Sequence, residues 1–200
     1  MSNRKAEIAH NLQEVKERII GAAKSVNRDP NEIELIVVTK TFPISDLEIL
    51  RDLGESNFGE NRDQEAGPKA KAIPATWHFQ GQIQSNKIKS ICEWADVIHS
   101  ISSEKEILKF AQSPRKHQVF LQVSLDGQEG RGGASPAGLA ELANLVNESN
   151  NYNYNLVHQA IANITSNFKP LTPIDLKKSG IEIDVNFDKL EYYGPQIPEN

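Results

Sequence analysis

The segment LIVVTK, residues 35–40, decides the fold of this chain. Four apolar residues in a row, most of them β-branched, are typical of a strand that is buried on both faces, as in a parallel sheet. Lys40 ends this strand, and the carboxyl ends of strands are where barrels and other α/β sheets place their ligand-contacting side chains. The segment therefore predicts a parallel sheet with a functional lysine at one edge.

Helices and further strands alternate on both sides of this segment. Ile8, Leu12, Val15 and Ile19 recur at helical spacing and predict a long first helix that ends before Asp29. After Lys40, a capping box of Ser45 and Glu48 predicts a helix start. Further strands are predicted at 57–59, 77–79, 97–98 and 119–123, and further helices at 63–72, 85–91, 103–111 and from 135 onward.

Five successive β-α units imply a parallel sheet covered by helices. An open doubly wound sheet and a barrel both satisfy this order. No glycine-rich dinucleotide fingerprint follows the first strand, which disfavours the doubly wound sheet. We therefore expect a parallel β/α barrel of the TIM type, with five recognisable strands.

The composition changes after about residue 148. The segment NYNYN at 151–155 marks a junction, and asparagine is denser beyond it. We expect two parts, a barrel portion over 1–148 and an atypical Asn-rich tail over 149–200. Within the tail, a helix at 156–164 and a strand at 181–187 are predicted, so the barrel would be incomplete.

Bulk properties exclude several classes of protein. The net charge of −5 gives no basic surface for nucleic acid or anionic membrane. No apolar run approaches the ~20 residues that a spanning helix needs, and no signal-peptide pattern opens the chain. Cys92 is the single cysteine, so no internal disulfide can form. We expect a cytoplasmic monomer with no membrane and no nucleic-acid partner.

Three residues are candidates for a site. Desolvation at the end of an apolar strand would give Lys40 the neutral amine that imine formation needs, although a lysine there can also extend into solvent. Asn61 ends the second strand and could contact a ligand or cap the next helix. His78 lies within the third strand and could contact an aromatic cofactor or be a satisfied core histidine.

An ordered set of motifs carries a resemblance. It consists of VVTKT at 37–41, NFGEN at 57–61 with Gln64 and Glu65, WHF at 77–79 with Gly81, QSNK at 84–87, His99 and Ser100, FLQV at 120–123 and RGG at 131–133. In order and spacing this set resembles the YggS/PROSC family of pyridoxal-phosphate-binding proteins. The resemblance extends from the first helix to about residue 148.

The resemblance implies a barrel like the alanine racemase N-terminal domain, preceded by a helix. It implies that pyridoxal 5′-phosphate forms a Schiff base with Lys40, and that Asn61 and His78 line the cofactor pocket. It also implies a non-catalytic role in cofactor and amino-acid homeostasis. Separately, the five histidines show no metal-ligand spacing, so we expect no metal.

The sequence departs from the family at several positions. Phe42 stands where the family often has a second lysine, and Ser124 where it commonly has asparagine. The Met-Gly-Met-Ser and Arg-x-Gly segments that hold the phosphate are missing, since Met1 is the only methionine and Arg131 the last arginine. The phosphate site is therefore expected to be missing as well.

Two alternatives stay open. One is a racemase-type enzyme, which would need an acid or base such as a tyrosine facing the cofactor. All four tyrosines, however, lie beyond residue 150. The other alternative is a partial barrel that binds nothing.

Overall fold

The computed structural model describes residues 3–124 and 132–149, and the backbone of 161–162. Six helices and six strands alternate along these residues. They are α1 (Asn3–Ser25), β1 (Val37–Val38), α2 (Ile44–Asp52), β2 (Asn57–Glu60), α3 (Asp63–Ala72), β3 (Thr76–Phe79), α4 (Ile88–Trp94), β4 (Val97–Ile101), α5 (Glu104–Phe110), β5 (Gln118–Val123), α6 (Leu139–Glu148) and β6 (Ile161–Ala162).

The six strands form one sheet in which spatial order equals chain order. Each strand pairs in parallel with the next, from β1 with β2 through to β5 with β6. A doubly wound sheet reverses its strand order at a switch point, whereas a barrel adds every strand on the same side. The order therefore confirms the predicted barrel-type α/β fold and excludes the doubly wound alternative.

The hydrophobic core lies between the sheet and its helices. Strand residues Phe58, Trp77 and Leu121 are buried there, and the rings of Phe58 and Trp77 lie 5.5 Å apart. Leu47 and Phe110 reach the same core from α2 and α5. Because strand side chains alternate between two faces, the residues next to these point into the barrel interior.

Strand β1 is shorter and more exposed than its sequence predicts. Only Val37 and Val38 pair with β2, and Val38 is 47% exposed, so the expectation of a strand buried on both faces is wrong. Strand β1 borders a groove of about 510 Å³ that residues of α1 and α2 also line. Among the described residues, β1 pairs with β2 alone, which leaves Val38 uncovered.

The sequence has two capping-box patterns, Ser45 with Glu48 and Ser103 with Glu106, and one of them forms. Ser103 and Glu106 cap α5 reciprocally, which confirms that prediction. Helix α2 instead begins at Ile44 after Pro43, with no side-chain cap, so the box at Ser45 and Glu48 is wrong. Since Pro43 already has the extended backbone of a residue that precedes a helix, the first turn begins before Ser45.

The sheet continues past residue 148. Ile161 and Ala162 pair in parallel with Gln122 and Val123, so the predicted helix over 156–164 is wrong at these two positions. The predicted strand at 181–187 lies outside the described residues, and the division into 1–148 and 149–200 stays a prediction. Within the described ranges, no helix has both the length and the apolar character needed to cross a membrane.

Candidate functional site

Lys40 lies on a tight turn directly after β1. The turn is closed by the Phe42 amide, which donates to the Thr39 carbonyl oxygen at 3.1 Å. Thr41 has φ +68°, the left-handed backbone that a β-branched residue rarely adopts. Lys40 itself is exposed, so its predicted desolvation is wrong within the part of the chain that the structure describes. Among the described residues no element covers its side chain, so the amine extends into solvent.

The strand register places two of the three predicted site residues at one edge. Val38 pairs with Gly59, and Gly59 pairs with His78. Lys40 and Asn61 each follow these paired positions by two residues, so both lie at the carboxyl edge of neighbouring strands. His78 lies two residues deeper in the sheet and is not at that edge.

A buried ion pair is hydrogen-bonded to Thr39, the first residue of this turn. Lys69 Nζ, on α3, donates to Glu60 Oε1 at 2.6 Å, and the Thr39 hydroxyl donates to the same oxygen at 2.8 Å. Glu60 is fully buried, and among the described residues its Oε2 has no hydrogen-bond partner. Buried charges are tolerated only when they are paired, so this pair joins α3, β2 and the end of β1 into one unit.

The ion pair was not predicted from the sequence. Glu60 belongs to the NFGEN motif, but its partner lies nine residues on, in a helix rich in polar residues. Its only signal is a charged residue in a strand whose other residues are uncharged, since a buried ionised carboxylate requires a cation.

A second acidic residue of α3 contacts the turn directly. Glu65 Oε2 accepts a hydrogen bond from the Thr41 amide at 2.9 Å, and Arg62 donates to Glu65 Oε1 at 2.8 Å. The Arg62 guanidinium and the Thr41 amide hold the pKa of Glu65 below its ordinary value. A carboxylate therefore stays ionised close to the backbone of Lys40.

Asn61 is exposed and leads into α3 without capping it. The residue preceding that helix is Arg62, and no side chain caps the helix, so the interpretation of Asn61 as a cap is wrong. The backbone of Asn61 packs against Gly81, where an added Cβ would lie 2.6 Å from the Asn61 carbonyl oxygen. This close approach accounts for a glycine at position 81 and leaves the Asn61 side chain available at the barrel edge.

His78 is buried within a network of side chains. Its Nε2 lies 3.1 Å from Asn57 Oδ1, and its Nδ1 lies 2.8 Å from His99 Nε2. The His99 ring stacks on Phe120 with 4.5 Å between centroids. Burial lowers the pKa of both His78 and His99 to about 4, and in His99 the neighbouring His78 adds to the effect.

Both imidazoles are neutral at pH 7, so each carries one N–H. With Asn57 Oδ1 as acceptor, His78 donates from Nε2 and accepts at Nδ1 from the N–H of His99. Both ring nitrogens of His78 are thus hydrogen-bonded to other side chains of the protein. Contact between His78 and a cofactor stays a prediction, and a hydrogen bond to one would require one of these bonds to break.

Comparison with known proteins places the chain in a family. The model of the alanine racemase N-terminal domain matches residues 4–169. A curated pyridoxal phosphate homeostasis protein of Mycobacterium leprae is 35% identical over 155 residues, which cover 66% of this chain and 60% of the relative. The chain thus spans less than two thirds of that relative's length.

Solved structures show the same likeness. A protein of Bifidobacterium adolescentis, described as unknown, matches with a TM-score of 0.69 and 25% identity over 76% of this chain and 68% of its own. PipY of Synechococcus elongatus, solved with PLP bound, matches with a TM-score of 0.50 and 27% identity over 65% of each chain. With the matched model and the parallel strand order, these likenesses show that the chain belongs to the alanine racemase N-terminal domain family, in its YggS/PROSC branch of pyridoxal phosphate homeostasis proteins.

Proposed function

We propose that this chain binds pyridoxal 5′-phosphate through a Schiff base on Lys40 and contributes to homeostasis of the cofactor. The observation that carries the proposal is the position of Lys40, directly after β1 at the carboxyl edge of a parallel sheet. The names of the relatives support it, as does the cofactor bound in PipY.

The residues present suit an aldehyde ligand at this edge. Lys40 is exposed, so its amine is accessible, and Asn61 is exposed on the neighbouring strand with both a donor and an acceptor. When bound, the cofactor would supply an aldehyde that condenses with this amine. Lys40 would provide the nucleophile, and Asn61 would orient the ring through its amide.

The test is covalent trapping on the full chain. Pyridoxal phosphate is added, the imine is followed by its absorbance, and borohydride then fixes it for mass-spectrometric mapping. We expect the label on Lys40 and its loss in Lys40→Ala, while Lys71→Ala, an exposed lysine of α3, behaves as wild type. Equal labelling of Lys40→Ala and wild type would refute the assignment.

The phosphate contribution can be measured separately. The family's phosphate-holding segments are missing from this sequence, so we propose that the phosphate adds little to binding. Pyridoxal, which lacks the phosphate, should then bind within about threefold of pyridoxal phosphate, a difference of less than 1 kcal/mol. A preference of a hundredfold or more would show that other residues hold the phosphate.

We further propose a binding role without turnover, in the cytoplasm. The homeostasis name of the relatives supports this role. All four tyrosines lie between 152 and 193, outside the described residues, so none of them can be placed opposite Lys40. Racemisation of alanine by the full chain with pyridoxal phosphate would contradict a purely binding role.

A further inference from the structure

Both peptide groups that flank Lys40 are held by one helix. Lys69 Nζ donates to the Thr39 carbonyl oxygen at 2.7 Å, and the Thr41 amide donates to Glu65 Oε2 at 2.9 Å. The first group belongs to the peptide plane before Lys40 and the second to the plane after it. Because φ and ψ of a residue are rotations between these two planes, the contacts together fix the backbone of Lys40.

The two holding residues act from the same face of α3. Glu65 and Lys69 are four residues apart and so are neighbours on the helix surface. The helix itself is well anchored, since Ala66 is fully buried and Asp63 Oδ1 accepts from the Trp94 indole at 2.9 Å. The turn that carries Lys40 is thus fastened to a rigid element.

The turn needs such support because its backbone is unfavourable. Thr41 has φ +68°, a region where Cβ crowds the backbone and where glycine is the usual residue. Conformations of this kind persist only where surrounding contacts determine them, and they cluster at functional sites. Loss of the contact to Glu65 would allow the Lys40–Thr41 peptide to rotate and the lysine to change direction.

We propose that Glu65 and Lys69 are positioning residues that aim the Lys40 amine at the aldehyde of the cofactor. This inference rests on the proposed function, because it takes Lys40 as the reacting amine. In that step the amine nitrogen forms a C=N bond to the aldehyde carbon. The C=O bond breaks, and its oxygen leaves as water with two hydrogens from the amine. Neither positioning residue takes part in the step; both act through the backbone of Lys40.

The experiment compares two substitutions of Glu65 in the full chain. Glu65→Leu removes the acceptor for the Thr41 amide, whereas Glu65→Gln removes the charge but keeps a carbonyl acceptor. With pyridoxal phosphate as the probe, we expect the second-order rate constant of imine formation to fall about tenfold in Glu65→Leu, since small misplacements of a reacting group cost up to about a hundredfold. Glu65→Gln should stay within about twofold of wild type, because the hydrogen bond that fixes the geometry is kept.

Two further measurements separate positioning from stability. Glu93→Leu makes the same replacement at an exposed position of α4 and should leave the rate unchanged. The thermal midpoint of Glu65→Leu should stay close to that of wild type while its rate falls. Lys69→Met is combined with Glu60→Gln, so that no unpaired buried carboxylate is left. This double variant should slow imine formation about as much as Glu65→Leu does.

The possible failures are distinguishable. If wild type gives no borohydride-fixed label on Lys40, the proposed function fails and this inference fails with it. If wild type is labelled on Lys40 but Glu65→Leu reacts at the same rate, the positioning role alone is overturned. If Glu65→Gln slows imine formation as much as Glu65→Leu does, the positioning role is also overturned, because the charge and not the backbone geometry would then be the cause.

Discussion

Acid should destabilise this protein through its buried histidine pair. His78 and His99 are buried, are hydrogen-bonded to each other at 2.8 Å and have pKa values lowered to about 4 by burial. In the unfolded chain these imidazoles bind protons at about pH 6.5. Between pH 6.5 and pH 4 the unfolded state therefore holds more protons than the folded state. The stabilisation is fully present above this window and is lost as the pH falls through it.

The expected magnitude follows from the difference between the two pKa values. For each imidazole, proton linkage gives a loss of about 2 kcal/mol in the free energy of unfolding between pH 7 and pH 5. The pair together would lose about 4 kcal/mol, against a total of about 5–15 kcal/mol for a typical domain.

The assay is urea unfolding at pH 7, 6 and 5, for wild type and for His78→Gln combined with His99→Gln. Glutamine does not titrate, so between pH 7 and pH 5 the free energy of unfolding should fall by about 4 kcal/mol less in the variant than in wild type. His117, which is also buried, is present in both proteins and cancels in the difference. His10→Gln removes an exposed histidine of α1 and is the matched control. A double variant with the same pH dependence as wild type would refute the argument that burial keeps these imidazoles neutral.

Two further predictions concern stability. Lys69→Met should lower the free energy of unfolding by about 3–5 kcal/mol because it leaves the Glu60 carboxylate buried without a cation, and adding Glu60→Gln should restore most of the loss. Urea unfolding of wild type and the two variants checks this, and a loss of less than about 1 kcal/mol in Lys69→Met would contradict the buried pair. Gly81→Ala should cost about 1–3 kcal/mol, since its Cβ would lie 2.6 Å from the Asn61 carbonyl oxygen. Gly21→Ala, on α1 with nothing within 4 Å of the new Cβ, should stabilise the protein by about 0.5–1 kcal/mol. Thermal unfolding checks both variants, and a change in stability of the same sign in Gly81→Ala and Gly21→Ala would count against the close packing at Gly81.

The fold was largely predictable because its signals are local. Strands β1, β4 and β5 contain short apolar runs, α1 has periodic apolar residues, α5 has a cap, and α3 is predicted with its observed bounds. Strand β1 shows the limit of such patterns. Its four apolar residues predict full burial, yet burial depends on which elements cover a strand, and Val38 is exposed. The local sequence does not show which elements will pack over a strand.

The place of the candidate site in the fold was predictable, but its geometry was not. The position of Lys40 at the end of a strand could be predicted, because strand ends are visible in the sequence. Its exposure could not, because the exposure of a side chain depends on which elements cover it, and the local sequence does not show them. The contacts of Glu65 and Lys69 with the turn could not be predicted either, since each residue contacts backbone more than twenty residues away in the sequence.

The agreement between strand order and chain order also bears on how the protein is made. Among the described strands, each new β-α unit finds its sheet neighbour in the unit made just before it. Pairing between adjacent units closes shorter loops than pairing between distant strands would, which lowers the entropy cost of each pairing. The chain can therefore assemble progressively from its amino end as it leaves the ribosome, with each finished strand serving as the template for the next.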